Sequence, residues 1–234
     1  MDISIQSNIA SNWFIPGLIK KGVTLLSGSP YTGKSFFCLD IALAVATGGN
    51  AINAFPSPKA GVLYLALTDN EQRIKNRLTK LLKNETASDD LQNLYFATEW
   101  ERGITGLKFI RKHIKEHPNC KLIIIDLFAY LRTKANTPKK FYTNNCMLLN
   151  SIKQLSNELN ISIILTHHYE DPIFDKNTKS FTPNDLPCLI DTTLLIRRNG
   201  QKKDNTLYMT EHGISASPKP LLLKFASCKW HVSS

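Results

Sequence analysis

No two cysteines in the 234-residue sequence stand at C-x-x-C spacing. The five present, Cys38, Cys120, Cys146, Cys188 and Cys228, are scattered, which argues against a zinc ribbon or a disulfide framework. The histidines supply no metal set either: His113 and His117 are spaced to share a helix face, but no third ligand accompanies them. No apolar run approaches the roughly 20 residues that span a bilayer. The opening MDISIQSN has neither the basic stretch nor the apolar core of a secretory signal. A cytoplasmic location and no membrane partner are therefore expected. Internal repeats, linkers and low-complexity segments are absent too, so one domain is expected across 1–234, with 1–20 as an N-terminal segment. Acidic residues are scarce: 19 Asp+Glu face 29 Lys+Arg, for a formal net charge of +10 and a pI near 9.4. A surplus of that sign favours polyanionic partners such as nucleic acid.

What is present is an alternation of short β-branched runs with helix-length segments, the pattern of a parallel sheet with crossover helices. The strand candidates are GVTLLS from Gly22, GVLYLAL from Gly61, LYFA from Leu94, KLIIIDL from Lys121 and ISIILT from Ile161. Ser35 to Thr47 is apolar on nearly every side and ends at Gly48-Gly49, as a buried helix with a glycine stop would. Asn70 to Lys83 places Ile74, Leu78, Leu81 and Leu82 on one face and Arg73, Lys75, Arg77 and Lys80 elsewhere, which describes a surface helix with a basic outer side. After His168 the segment 169–188 is polar and rich in turn formers, and reads as a long mobile loop. Beyond it TTLLIRR, NTLYMT, PLLLKF and CKWHV follow at short spacing, broken by Asn199-Gly200 and Ser217-Pro218. That spacing suggests hairpins extending the sheet in antiparallel fashion.

Gly28-Ser29-Pro30-Tyr31-Thr32-Gly33-Lys34-Ser35 matches G-x-x-x-x-G-K-[ST] between an expected strand and an expected helix. The glycines let the backbone fold around phosphate oxygens, and the amides at the helix start meet negative charge at the positive end of the helix dipole. Lys34 would reach the β- and γ-phosphates and the Ser35 hydroxyl would ligate Mg²⁺, with Phe36 continuing the ATP-binding run. A second magnesium acid is expected at the end of a neighbouring apolar strand, and KLIIIDL supplies Asp126 there. A carboxylate after such a run is costly unless a cation or hydrogen bonds meet it.

With these residues in place the sequence resembles the RecA-like ATPases of the plasmid RepA type, the small hexameric replicative helicases. The likeness is carried by FIPGLIKKGVTLLSGSPYTGKSFFCLDIALAVATGG, GVLYLALTDNEQRIKNRL, LIIIDLFAYLR, LNISIILTHHYED and LIDTTLLIRR, from about Phe14 to Arg198. It implies an α/β fold with a RecA-like P-loop NTPase core, ATP bound between subunits of a homo-oligomeric ring, and single-stranded DNA gripped by loops facing the channel. It also implies that the pair His167-His168 senses nucleotide state beside the γ-phosphate, which makes His167 a candidate catalytic residue. DNA contacts would come from the loops after Asp126 and after His168. There Arg132, Lys134, Lys139, Lys140, Lys176 and Lys179 mix with Tyr130, Phe141, Tyr142 and Phe174, suited to phosphate contact and base stacking.

Two departures bear on hydrolysis. The resemblance implies glutamate then aspartate at the end of the second strand, but the residues are Thr68-Asp69. A hydroxyl cannot take a proton from water as a carboxylate does, which leaves Glu71 and Asp69 as the nearby replacements. No arginine occurs from Thr210 to Phe225, where an arginine finger is implied; Lys219, Lys224, Arg197 and Arg198 are the alternatives. Two readings follow: an ATPase acting on single-stranded DNA in replication of a mobile element, or a hydrolysis-deficient ATP-binding scaffold whose assembly depends on nucleotide.

Overall fold

A computed structural model describes residues 12–82, 91–134, 136–168, 189–198, 204–211, 220–226 and 228–233. The expected loop 169–188, with Phe174, Lys176 and Lys179, lies outside them. So do the two turn pairs Asn199-Gly200 and Ser217-Pro218, and Lys219.

The chain enters through a small ribbon, β1 (Trp13–Ile15) against β2 (Ile19–Lys20), and continues into β3 (Val23–Gly28), which is buried along its whole length. Helix α1 (Lys34–Thr47) follows, and Gly48, at φ 79, stops it by donating its N–H to the Ala44 carbonyl. This is the glycine stop expected from the sequence: only glycine adopts the left-handed cap without steric cost. A second ribbon, β4 (Asn50–Ala51) with β5 (Phe55–Pro56), leads into β6 (Gly61–Ala66) and α2 (Glu71–Leu82). The Asn70 side chain accepts the Arg73 N–H at 2.9 Å and so caps α2. Then come β7 (Leu94–Ala97), α3 (Gly103–Glu116), β8 (Cys120–Asp126), the short α4 (Phe128–Leu131), the 22-residue α5 (Pro138–Leu159) and β9 (Ser162–His168). The last described strands are β10 (Thr192–Arg198), β11 (Asp204–Glu211), β12 (Pro220–Ala226) and β13 (Lys229–Val232).

Nine of these strands form one sheet in the order β13-β12-β11-β10-β3-β9-β8-β6-β7. The pairings from β10 to β7 are parallel and those from β10 to β13 antiparallel, so the expected hairpin extension is present. TTLLIRR, grouped by sequence with the hairpins, instead pairs parallel with β3 on one side and antiparallel with β11 on the other. It is the hinge strand between the two parts of the sheet.

Period-two alternation sorts the buried side chains into two cores. On one face Leu122, Ile124 and Ile164 pack under α1 and α2 with Phe37, Ile41, Ile74 and Leu81. On the other Ile123, Ile125, Ile163 and Leu165 pack under α3 and α5 with Ile110, Leu149 and Ile152. Strands buried on both faces read as continuous apolar runs, which is why KLIIIDL and ISIILT stand out in the sequence.

The segment after Asp126 differs from the expected loop. Lys139, Lys140 and Phe141 occupy the first turn of α5, where the Thr137 side chain accepts the Lys140 N–H and Pro138 takes the first helical position. Threonine followed by proline is a helix-start signal, and the basic-aromatic reading of this stretch passed over it. No helix among the described residues is long and apolar enough to cross a membrane.

Ile124 is fully buried at the middle of β8. Ile124→Ala is expected to destabilise the fold by about 2–5 kcal/mol, read from the midpoint of denaturant unfolding.

Candidate nucleotide site

The loop between β3 and α1 turns tightly. The Thr32 hydroxyl donates to the Ser29 carbonyl at 2.9 Å, and Gly33 sits at φ 87 immediately before the helix. Ser29, Pro30 and Tyr31 are exposed at the crest, and Tyr31, 92% exposed, holds a positive φ of 63. Ser35 and Phe36 are half-buried on the first turn of α1.

Lys34 is the group that organises this loop. Only 5% exposed, it bends back so that Nζ donates to the Gly28 carbonyl at 2.7 Å and to the Ser29 carbonyl at 2.9 Å. A further close neighbour is His168 Nδ1 at 3.1 Å. An ammonium can only donate, so Nδ1 must present its lone pair and the proton of the neutral ring sits on Nε2. The sheet explains the contact: β3 and β9 run parallel in register, with Gly28 opposite His168 and Ser27 opposite His167.

Alternation along β9 separates the two histidines. Thr166 and His168 face the α1 side, where Thr166 meets Asp126 and His168 meets Lys34, while His167 is buried toward the other face. The structure thus brings His168, rather than the candidate His167, to the phosphate-loop lysine. The strand also runs through both histidines, whereas the sequence placed its end at Thr166.

Asp126 closes β8 and is 4% exposed. Its Oδ2 accepts the Tyr64 hydroxyl at 2.8 Å from β6 and its Oδ1 the Thr166 hydroxyl at 2.6 Å from β9. Two neutral donors, one from each flanking strand, orient the carboxylate without neutralising it. Among the described residues no Lys or Arg side chain forms an ion pair with it. A buried, oriented carboxylate without a cationic partner fits a magnesium site, and Ser35 with Asp126 are the residues that would hold the ion. Burial, reinforced by the Asp126 charge, pushes the Tyr64 phenol well above its ordinary range, so it stays a donor. The same two causes raise the Cys38 thiol on α1, which is an inert neighbour rather than a nucleophile.

At the end of β6 Thr68 is exposed. The Asp69 carboxylate is nearly buried and gripped by two guanidinium groups, Arg73 at 3.1 Å and Arg77. Both of its oxygens are committed to charged donors, which disfavours proton transfer to it. Glu71 opens α2 with its side chain 81% exposed and 3.8 Å from Lys75.

On the far side of the loop, Gly28, Ser29, Pro30 and Thr32 face Leu195, Ile196 and Arg197 of β10 across a cleft of about 450 Å³. The Arg197 guanidinium lies 5.7 Å over the Tyr208 ring.

A family model described as the AAA domain matches residues 5–171, well over half of the chain. The chain belongs to that AAA domain family. Two solved structures are similar in fold. The ATPase domain of a helicase has a TM-score of 0.64 at 14% identity, covering 92% of this chain and 85% of that one. The KaiC-like protein PH0186 from Pyrococcus horikoshii OT3 has a TM-score of 0.61 at 12% identity, covering 94% of this chain and 97% of that one. No curated protein matches the sequence. The mostly parallel sheet flanked by helices, with antiparallel strands at its C-terminal end, is the RecA-like P-loop NTPase fold expected from the sequence.

In this AAA domain the residues expected to touch DNA divide. Arg132 is buried, with its guanidinium 5.2 Å over the Phe141 ring and 5.9 Å over Phe128, so both it and Phe141 serve packing. Tyr130, 47% exposed, and Lys134, Lys139 and Lys140 remain at the surface. Arg102, which sequence reasoning missed, joins them: its guanidinium lies 5.9 Å over Tyr130 and donates to the Arg132 carbonyl at 3.0 Å. No local motif marks Arg102, because the contact spans from the start of α3 to the end of α4.

Tyr64→Phe removes one of the two donors that hold Asp126. Leaving that buried oxygen unpartnered is expected to cost about 1–3 kcal/mol in denaturant unfolding, and to raise the Mg²⁺ concentration needed for nucleotide binding in a metal titration.

Proposed function

We propose that the protein is a magnesium-dependent, ATP-binding RecA-like ATPase of the RepA type that acts on single-stranded DNA as a subunit of a ring, hexameric in the manner of the group it resembles. The observation that carries this reading is the Lys34 ammonium, desolvated over the phosphate loop between two backbone carbonyls and His168 Nδ1. Such a cation is poised to exchange weak neutral acceptors for phosphate oxygens. The loop amides and the start of α1 take the remaining phosphate charge. Magnesium, when bound, supplies charge neutralisation across the β- and γ-phosphates, with Ser35 and Asp126 as its protein ligands. The cleft along Leu195, Ile196 and Arg197 has room for the base and ribose.

When Lys34 turns to phosphate it leaves His168, the last residue of β9, and the segment 169–188 follows directly. His168 is therefore the residue through which nucleotide state passes to that segment. Tyr130 with Arg102, Lys134, Lys139 and Lys140 supplies a second DNA-contacting surface, a stacking platform among cations.

Hydrolysis is slow in this reading, and one set of observations favours the alternative of a hydrolysis-deficient scaffold. Thr68 has no basic group, Asp69 is engaged by two arginines and Glu71 points into solvent. A positioned base contributes about 10² to 10⁴ in rate. Glu71 acts as the base only if assembly or DNA brings α2 over the γ-phosphate.

Equilibrium binding of Mg-ATP is expected to be lost in Lys34→Ala. Phosphate release by the wild type is expected to exceed that of Lys34→Ala and to rise with single-stranded DNA; equal rates would establish the scaffold. Loss of release in Glu71→Gln would identify the base. Single-strand binding is expected to be strengthened by ATP and weakened by salt, and Tyr130→Ala should weaken it by about 1–3 kcal/mol in a polarisation titration.

A further inference from the structure

The antiparallel end of the sheet has no part in the chemistry described so far, yet it reaches the phosphate loop. Trp230 of β13 is fully buried, and its indole Nε1 donates to the Gly33 carbonyl at 3.3 Å. That carbonyl already accepts the Phe37 N–H at 3.0 Å, the first hydrogen bond of α1, so the indole takes its second lone pair. The ring also fills the space beside Gly33: a Cβ built there would lie 2.8 Å from Trp230 Cζ2. Gly33 thus lacks a side chain for two reasons, its φ of 87 and the indole against it.

The contact continues as a column of rings. Trp230 meets Phe37 edge-on at 6.3 Å and Phe225 of β12 at 4.9 Å; Phe225 packs on Phe36 at 5.5 Å. The Arg77 guanidinium lies 5.5 Å over Phe36, and the same arginine grips Asp69. The column therefore links the turn before Lys34, the first turn of α1 and the segment after β6, and every link passes through the β12–β13 hairpin or rests on it.

We propose that Trp230 is a positioning residue of the phosphate loop: by holding the Gly33 carbonyl and filling the space at its Cα, it fixes the turn that aims the loop amides and Lys34 at a nucleotide's phosphates. This rests on the nucleotide reading above. Loop geometry and hairpin position are then coupled, so that phosphate binding is felt at Trp230 and displacement of the hairpin loosens the phosphates.

Two measurements test it. Trp230→Phe keeps an aromatic ring and removes the donor. Its affinity for a non-hydrolysable Mg-ATP analogue is expected to fall by about five- to tenfold, the scale of one hydrogen bond, with the melting midpoint little changed. Trp13 and Trp100 are the other two tryptophans. In Trp13→Phe/Trp100→Phe the emission of Trp230 is expected to change when the analogue binds, and not when Lys34→Ala is added. If Trp230→Phe does not fold, the emission measurement decides alone. A wild type that binds the analogue, with unaltered affinity in Trp230→Phe or silent Trp230 emission, overturns the positioning role and leaves the nucleotide reading intact. A wild type that binds no nucleotide overturns both.

Discussion

A cation and an anion, both taken out of water at the same end of a parallel sheet, set the terms for the rest of this molecule. Lys34 and Asp126 are each about 95% buried, and each is held by oriented neutral dipoles. Desolvating such groups is costly. Two carbonyls and an imidazole answer the ammonium; a phenol and a threonine hydroxyl answer the carboxylate. Those dipoles come from the phosphate loop, β3, β6 and β9, so the register of three strands is tied to the state of two charges. An incoming Mg-nucleotide brings phosphate charge for one and metal charge for the other, which makes ligand binding and relief of the desolvation the same event.

The activity of the site is limited by a similar competition. In Asp69 the chain retains a carboxylate at the end of β6, but Arg73 and Arg77 reach it from the next two turns of helix. The pairing stabilises the entry to α2 and ties up the oxygens that a water molecule would need. Position 68, which the resemblance expects to be acidic, carries a threonine that faces solvent. Local stability has been placed where proton transfer would require a free base.

Much of this was legible in the sequence because it is local. The phosphate loop, the glycine stop of α1 and the apolar strand ending in Asp126 each depend on residues within a few positions of one another, so spacing alone reveals them. His168 was harder: two adjacent histidines look alike until Thr166 and Asp126 establish which face of β9 is which. Tyr64, Thr166, Arg102 and Trp230 act through partners between 30 and 197 positions away, and nothing in their own neighbourhoods distinguishes them from core or surface residues. The first turn of α5 was misread for the opposite reason. A strong compositional signal, lysines beside aromatics, hid the weaker start signal of Thr137-Pro138.

The contact between Trp230 and Gly33 also has a bearing on the order in which the protein becomes competent. During synthesis the phosphate-loop motif emerges early, but His168 follows 134 positions after Lys34, and Trp230 lies 197 positions beyond Gly33. Long-range parallel pairing is slow to form, because loop closure precedes its reward. A nascent or truncated chain carrying the whole motif would present a glycine-rich turn without its packing support, and a lysine without its imidazole. Nucleotide would then act as an inspector of the finished sheet, stabilising only chains whose distant strands have already met.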